Sequence, residues 1–155
     1  MSKLHRIYRN QRFPIQIQEA WDFFSDCRNL SEITPDYLDF SFVGDAPEHM
    51  YEGMIITYRI RPVLGIPVTW VTEITHMDKP SLFVDEQRFG PYSFWHHKHL
   101  FRATEGGVEM EDIVDYAMPL GLLGSIPHAL LIRKQLEGIF DYRERVLKDR
   151  FGERR

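Results

Sequence analysis

One cysteine, Cys27, stands in the whole chain, which excludes an intramolecular disulfide and any zinc site built from several thiolates. That scarcity fits a reducing compartment. No apolar run approaches the roughly 18 residues of a membrane span, and the opening MSKLHRIYRNQ lacks an apolar segment of signal-peptide length. The expectation is a soluble, cytoplasmic protein without integral membrane association. Positive charge is also in short supply. A net charge of -4 argues against a nucleic-acid binder that relies on bulk electrostatics. GxSxG, phosphate-loop, HExxH and GxGxxG patterns are missing, so no motif announces a catalytic class, and no cofactor is expected.

What is present is enough apolar material, 43% of 155 residues, for one domain with a real core. Its most informative stretch runs from Phe94 to Tyr116, FWHHKHLFRATEGGVEMEDIVDY, two alternating segments joined by a Gly-Gly turn that read as a β-hairpin. Setting Ala103 opposite Val108 pairs Phe101 with Met110, His99 with Asp112, His97 with Val114 and Trp95 with Tyr116. The other face then carries Arg102 opposite Glu109 and His96 opposite Asp115, as a solvated surface should. A one-residue slip would put Glu109, Glu111 and Asp115 beside Trp95 and Phe101, which is far harder to bury. In the preferred register, His97, His99 and Asp112 lie on a buried aromatic face and must find partners or a ligand.

Around the hairpin, Leu4 to Phe13 reads as an edge strand, and Ile17 to Phe24 as a short helix burying Ala20, Trp21 and Phe24. Asn29 to Ile33 reads as another helical turn before Thr34-Pro35. Further strands are expected at Leu38 to Val43, Met54 to Arg61, Val68 to Met77 and Leu82 to Phe89. Met54, Ile56, Tyr58 and Ile60 share an inner face, as do Trp70, Thr72 and Ile74, which sets Glu73 outside near Arg59. For Leu82 to Phe89 the pattern leaves two faces open, Phe83 with Asp85 and Gln87, or Leu82 with Val84 and Glu86. After a Gly and Pro interruption, MPLGLLG, Ser125 caps a long helix of about seven turns with Pro127 in its first turn. Its inward side reads His128, Leu131, Ile132, Gln135, Leu136, Ile139, Phe140, Arg143, Val146 and Leu147.

The order strand, two short helices, six strands and a long helix resembles the helix-grip fold of the SRPBCC superfamily, which includes START lipid-binding domains and birch-pollen-allergen-like proteins. AWDFFSDCRNLSEITP (Ala20 to Pro35), FVDEQ (Phe83 to Gln87), GPYSFWHHKHLF (Gly90 to Phe101), EGGVEMEDIVDY (Glu105 to Tyr116) and QLEGIFDYR (Gln135 to Arg143) resemble bacterial ligand-binding members grouped with polyketide cyclases. The resemblance implies an α+β domain with a curved antiparallel sheet of about seven strands wrapped around the C-terminal helix, and a mostly apolar cavity between them. It also makes Asp85 and Gln87 candidate cavity residues. It implies no reaction, because the fold hosts binders, carriers and enzymes alike.

Candidate ligand contacts are therefore Tyr58, Trp70, Asp85, Gln87, Trp95, His97, His99, Phe101, Met110, Asp112, Val114, Tyr116, His128, Leu131, Ile132 and Gln135. For the polar trio, the leading reading is a His99 to Asp112 hydrogen bond that satisfies two buried groups. Recognition of a ligand's polar end comes next. Acid/base chemistry by His99 and Asp112, or a metal held by two histidines and a carboxylate, comes last, since nothing else in the sequence completes either constellation. The favoured function is binding of a small, largely hydrophobic molecule. The alternatives are a cyclase or dehydratase on a polyketide-like substrate, and a protein-interaction module working through exposed positions such as Arg59 or Arg61. Oligomeric state is not legible.

Overall fold

The computed structural model describes residues 3–63, 65–119 and 126–154, with Val63 and residues 126–128 described by their backbone alone. The expected Ser125 cap and most of the MPLGLLG stretch lie outside those residues, as does the side chain of His128.

Strand β1 (Leu4–Phe13) leads into helix α1 (Ile17–Phe24) and two 3-10 turns, Cys27–Ser31 and Asp36–Leu38. Six strands follow: β2 (Ser41–Phe42), β3 (Ile55–Val63), β4 (Ile66–Asp78), β5 (Leu82–Phe89), β6 (Phe94–Thr104) and β7 (Gly107–Ala117). Helix α2 (Ile126–Phe151) is the last element. The strands form one antiparallel sheet in the order β1-β7-β6-β5-β4-β3-β2. Consecutive strands from β2 to β7 are neighbours, and β1 closes on β7, so β1 is an edge as its alternation predicts.

The β6–β7 register is the one the hydrophobic pattern selects: Phe101 opposite Met110, His99 opposite Asp112, His97 opposite Val114 and Trp95 opposite Tyr116. Its tight turn works because Gly106 takes φ +77, a left-handed conformation costly to side chains. Gly107 has a different reason, since a β-carbon there would run into the Phe13 carbonyl of β1. Register shifts in the β3–β4 pair and twice in the β4–β5 pair each insert an extra residue, which bends the sheet.

The bent sheet receives α2 on its inner face. Ile132, Leu136, Phe140, Arg143 and Leu147 form the helix's buried stripe, at the three- and four-residue steps of one helical face. Arg9 of β1 reaches Asp141 at 2.9 Å and Gln11 donates to the Glu144 carbonyl at 2.9 Å, tying helix to edge strand. Under the other end of the sheet, Trp21 of α1 meets Phe83 and Phe101 edge-on, at 5.9 and 6.0 Å between ring centres. Among the described residues, no helix is long and apolar enough to cross a membrane.

Several local expectations give way. The strand expected over Leu38 to Val43 is only Ser41–Phe42, because Leu38 ends a 3-10 turn and Asp39 turns the chain with φ +48. The helical turn expected at Asn29 to Ile33 is a 3-10 turn over Cys27–Ser31 whose first turn is capped by the Asp26 carboxylate, accepting from the Arg28 amide. Glu73 pairs with Arg88 of β5, not Arg59, which stands opposite Thr69 while Glu73 stands opposite Ile55. Leu131 is 55% exposed, since it lies one residue, about 100° of helical turn, away from the stripe begun by Ile132.

Candidate functional site

Among the described residues, buried apolar side chains gather in three groups, around Trp21 and Phe101, around Trp70 and Trp95, and around Met54 and Ile74. Where the groups meet, they leave a cavity of about 170 Å³ between sheet, helix and the 3-10 segment. The sheet contributes Tyr58, Trp70, Thr72, Phe83 and Trp95 to its wall, and the helix contributes Gln135, Leu136, Ile139, Phe140 and Arg143. Phe23, Leu30, Ile33, Leu38, Phe40 and Met50 close the remaining side. The lining is mainly apolar, and Asp85, His97 and His99 form a polar cluster in it; Asp26 and Arg143 are further charged side chains on the wall.

That exception follows from strand periodicity. His97 and His99 are two apart on β6 and therefore share a face. Asp85 stands opposite His97 on β5, and Asp112 opposite His99 on β7. The pairing settles the open question about β5: Phe83 and Asp85 lie on the inner face beside His99 and His97.

The two imidazoles lie between two carboxylates. Asp85 Oδ2 is 2.7 Å from His99 Nε2 and 3.4 Å from His97 Nδ1. On the far side, Asp112 Oδ1 is 2.8 Å from His97 Nε2 and 3.1 Å from His99 Nδ1, the latter without hydrogen-bonding alignment. The expected His99 to Asp112 hydrogen bond is thus replaced by two others, His97 to Asp112 and His99 to Asp85. Arg143 Nη2 donates to Asp112 Oδ1 from α2 at 3.4 Å, and Trp95 Nε1 donates to Asp85 Oδ1 at 3.3 Å. Phe83 stacks on His99 at 4.0 Å and the imidazole rings are 3.7 Å apart, so the cluster is held by packing as well as by charge.

Burial is the largest influence on each of these groups and disfavours its charged form, yet charge pairing decides the outcome. It would raise the Asp112 carboxyl, but Arg143 and the two histidines hold it well below the usual carboxylate range. Asp85 is likewise lowered despite burial, through His97, His99 and Trp95. Burial and the neighbouring His99 charge push His97 down, while the attraction of the two adjacent carboxylates, Asp112 and Asp85, outweighs the burial of His99 and pushes it up.

Of the residues singled out by sequence, Tyr58, Trp70, Asp85, Trp95, His97, His99 and Gln135 border the cavity. Gln135 also donates to the Pro62 carbonyl. Asp112 does not border it, since it stands behind the histidines at 4% exposure and acts on them rather than on a ligand. Gln87 is occupied by the Tyr92 backbone, donating to its carbonyl at 2.7 Å and accepting from its amide at 3.2 Å. Phe101 and Met110 pack into the core around Trp21, and Val114 and Tyr116 into the core with Trp95. Ile132 borders a neighbouring pocket with Pro62 and Val68, and Leu131 is exposed.

Sequence reasoning did not single out Arg143 as a site residue, although an arginine among Leu136, Ile139, Phe140 and Leu147 signals a buried acid partner. It also missed the wall from Leu30 to Met50, whose irregular backbone carries no periodicity. Two further donors at the cavity, Trp70 Nε1 and Arg143 Nε, are buried without a partner among the described residues.

No family model matches the chain, and no curated protein matches it in sequence. Solved structures do match its fold over nearly the full length. Protein TTHA0849 from Thermus thermophilus superposes with a TM-score of 0.68 at 16% identity, over 96% of this chain and 96% of that one. Protein Ms6760 from Mycobacterium smegmatis gives 0.62 at 17% identity, over 93% and 91%. Ara h 8.0201 gives 0.56 at 17% identity, over 94% and 99%. These likenesses show the fold alone, an α+β helix-grip arrangement of a curved antiparallel sheet and a C-terminal helix.

Proposed function

We propose that this chain binds a compact, largely apolar small molecule in the cavity between the sheet and α2, with the molecule's polar end at Asp85, His97 and His99. The observation that carries the reading is the distribution of the lining: a mainly apolar cavity with both of its imidazoles and the Asp85 carboxylate gathered at one place, the usual anatomy of a ligand site. Its volume of about 170 Å³ sets the scale. An engineered cavity of about 150 Å³ takes up benzene, whereas drug-sized ligands occupy roughly 300 Å³ or more. A ligand of one or two rings matches that scale. The unpartnered Trp70 Nε1 and Arg143 Nε favour a ligand with acceptor oxygens, because leaving a buried donor unpaired costs about 1–3 kcal/mol.

The test is native mass spectrometry of the purified protein, followed by a thermal-shift screen of one- and two-ring aromatics with and without a carbonyl, hydroxyl or carboxylate. A ligand at a hundred times its dissociation constant stabilises by about 2.7 kcal/mol, a shift of about 5–11 °C for a domain of this size. Ile60→Trp, which fills the cavity, abolishes the shift. A protein released empty, and stabilised by no member of the panel, overturns the reading.

A further inference from the structure

We propose that Asp85 Oδ2, His97 Nδ1 and His99 Nε2 are three ligands of a site for a divalent first-row transition cation, whose remaining coordination positions face the cavity. The inference departs from the metal-free expectation of the sequence. It stands whether or not an apolar ligand occupies the rest of the cavity.

Geometry is the first argument. The three side chains can each offer one ligand atom with all three atoms within 4.8 Å of one another. Bonds of about 2.0–2.1 Å to nitrogen and carboxylate oxygen set neighbouring ligands about 2.9–3.4 Å apart, from octahedral to tetrahedral angles. The observed separations from Asp85 Oδ2, 3.4 Å to His97 Nδ1 and 2.7 Å to His99 Nε2, need only small adjustment.

The second argument is orientation. A histidine that binds a metal through one nitrogen normally directs the other at a carboxylate, which fixes tautomer and ring plane. Asp112 fills that role for His97, hydrogen-bonded to its Nε2 at 2.8 Å, and stands 3.1 Å from His99 Nδ1 without hydrogen-bonding alignment, on the side away from Asp85. Arg143 holds Asp112 in turn. Arg143 therefore reduces the cluster's negative charge without approaching through Asp85, and Asp112 is a positioning residue rather than a ligand. Two carboxylates on opposite sides of an imidazole pair exceed what a plain hydrogen-bonded core pair needs.

The donor set chooses the ion. Two imidazoles and one carboxylate favour zinc, iron, cobalt or nickel over magnesium or calcium, which take all-oxygen shells. Cys27 borders the same cavity, but its thiol donates to the Pro47 carbonyl at 3.1 Å and supplies no ligand.

The experiment uses the full chain, stripped with a chelator and titrated with Zn2+ by calorimetry and with Co2+ by visible absorption. One equivalent of each binds. Asp85→Asn, His97→Ala and His99→Ala each weaken binding by more than about 100-fold, and Asp112→Asn by about 10- to 100-fold as an orienting neighbour. His49→Ala and His76→Ala, at exposed positions, leave it unchanged. Uptake below one equivalent, or uptake insensitive to His97→Ala and His99→Ala, overturns the site. Should those variants fail to fold, long-range proton–nitrogen NMR of the unmutated protein decides. Zn2+ must then move His97 Nδ1 and His99 Nε2, and a response confined to other histidines overturns the proposal. Stabilisation of the stripped protein by indole, without metal uptake, refutes the metal site and leaves the apolar cavity reading intact. Metal uptake with no response to indole or its relatives supports the site and counts against that reading.

Discussion

Replacing Arg143 by methionine tests the keystone of the buried cluster. Methionine keeps an aliphatic stem near Phe24 and Phe140, which the guanidinium now faces at 5.6 and 5.9 Å, but leaves Asp112 without its cation. Both side chains are almost fully buried, at 9% and 5% exposure, so solvent cannot compensate. Removing one member of a buried pair generally costs about 3–5 kcal/mol. Because His97 still hydrogen-bonds Asp112 Oδ1 at 2.8 Å, the carboxylate keeps one partner, and the expected loss is about 2–3 kcal/mol. In a domain of this length that lowers Tm by about 4–12 °C. Urea unfolding at neutral pH measures the loss directly, and a double-mutant cycle with Asp112→Asn isolates the pair. The cycle is expected to return a coupling of at least about 1 kcal/mol. A loss under about 1 kcal/mol for Arg143→Met, or strictly additive effects, would refute the claim that the arginine neutralises Asp112.

Four other perturbations address separate parts of the molecule. Burial pushes the Tyr58 and Tyr92 phenols well above their ordinary range, so alkaline difference absorbance should register both only on unfolding; ionisation of all seven tyrosines in the folded state would contradict their enclosure. Cys27 is 1% exposed and its thiol is raised by burial, so a thiol reagent at pH 8 should react only as fast as the protein opens. Asp115 is lowered chiefly by its hydrogen bonds to Arg6, at 2.7 and 2.9 Å, so its contribution is present above the unfolded carboxylate range and disappears as pH falls through the folded value; Arg6→Ala should lower Tm at pH 7, and the difference should vanish in acid. Trp21→Ala removes a 2%-exposed indole from between Phe83 and Phe101 and should cost about 3–5 kcal/mol in urea unfolding, with a smaller loss pointing to collapse of the α1 end.

The hairpin was legible because its two possible registers differ so sharply: one buries Trp95 with Tyr116, and the other buries a row of acids. The C-terminal helix was legible from its spacing alone. β5 was not, because Phe83 and Val84 are both buried, at 3% and 4% exposure, and each alternating set mixes apolar and acidic residues. Its assignment depends on pairing with β6 and on two register shifts with β4, which involve residues distant in sequence. The same dependence hid the partner of His99. Directly opposite it across the hairpin lies Asp112, but its hydrogen bond runs to Asp85, diagonally placed on the other flanking strand. Gln87, Phe101, Met110 and Val114 share the inner face of the sheet, yet cavity contact also depends on where α1 and α2 fill that face, which strand alternation does not encode.

The same cluster bears on how the chain finds its strand order. Its histidines lie on β6 and its carboxylates on the strands to either side, so it forms only when three strands are aligned at once. Sliding β6 by one residue against its neighbours brings Lys98 and Leu100 to the inner face. Sliding it by two sets Phe101 or His97 against Asp112. Each misalignment breaks the native His97–Asp112 and His99–Asp85 pairing, and a buried polar group left unpaired costs about 1–3 kcal/mol that an all-apolar strip would not impose. In a fold dominated by long-range β pairings, which assemble slowly and have many near-miss alignments, four polar side chains serve as proofreading for the centre of the sheet.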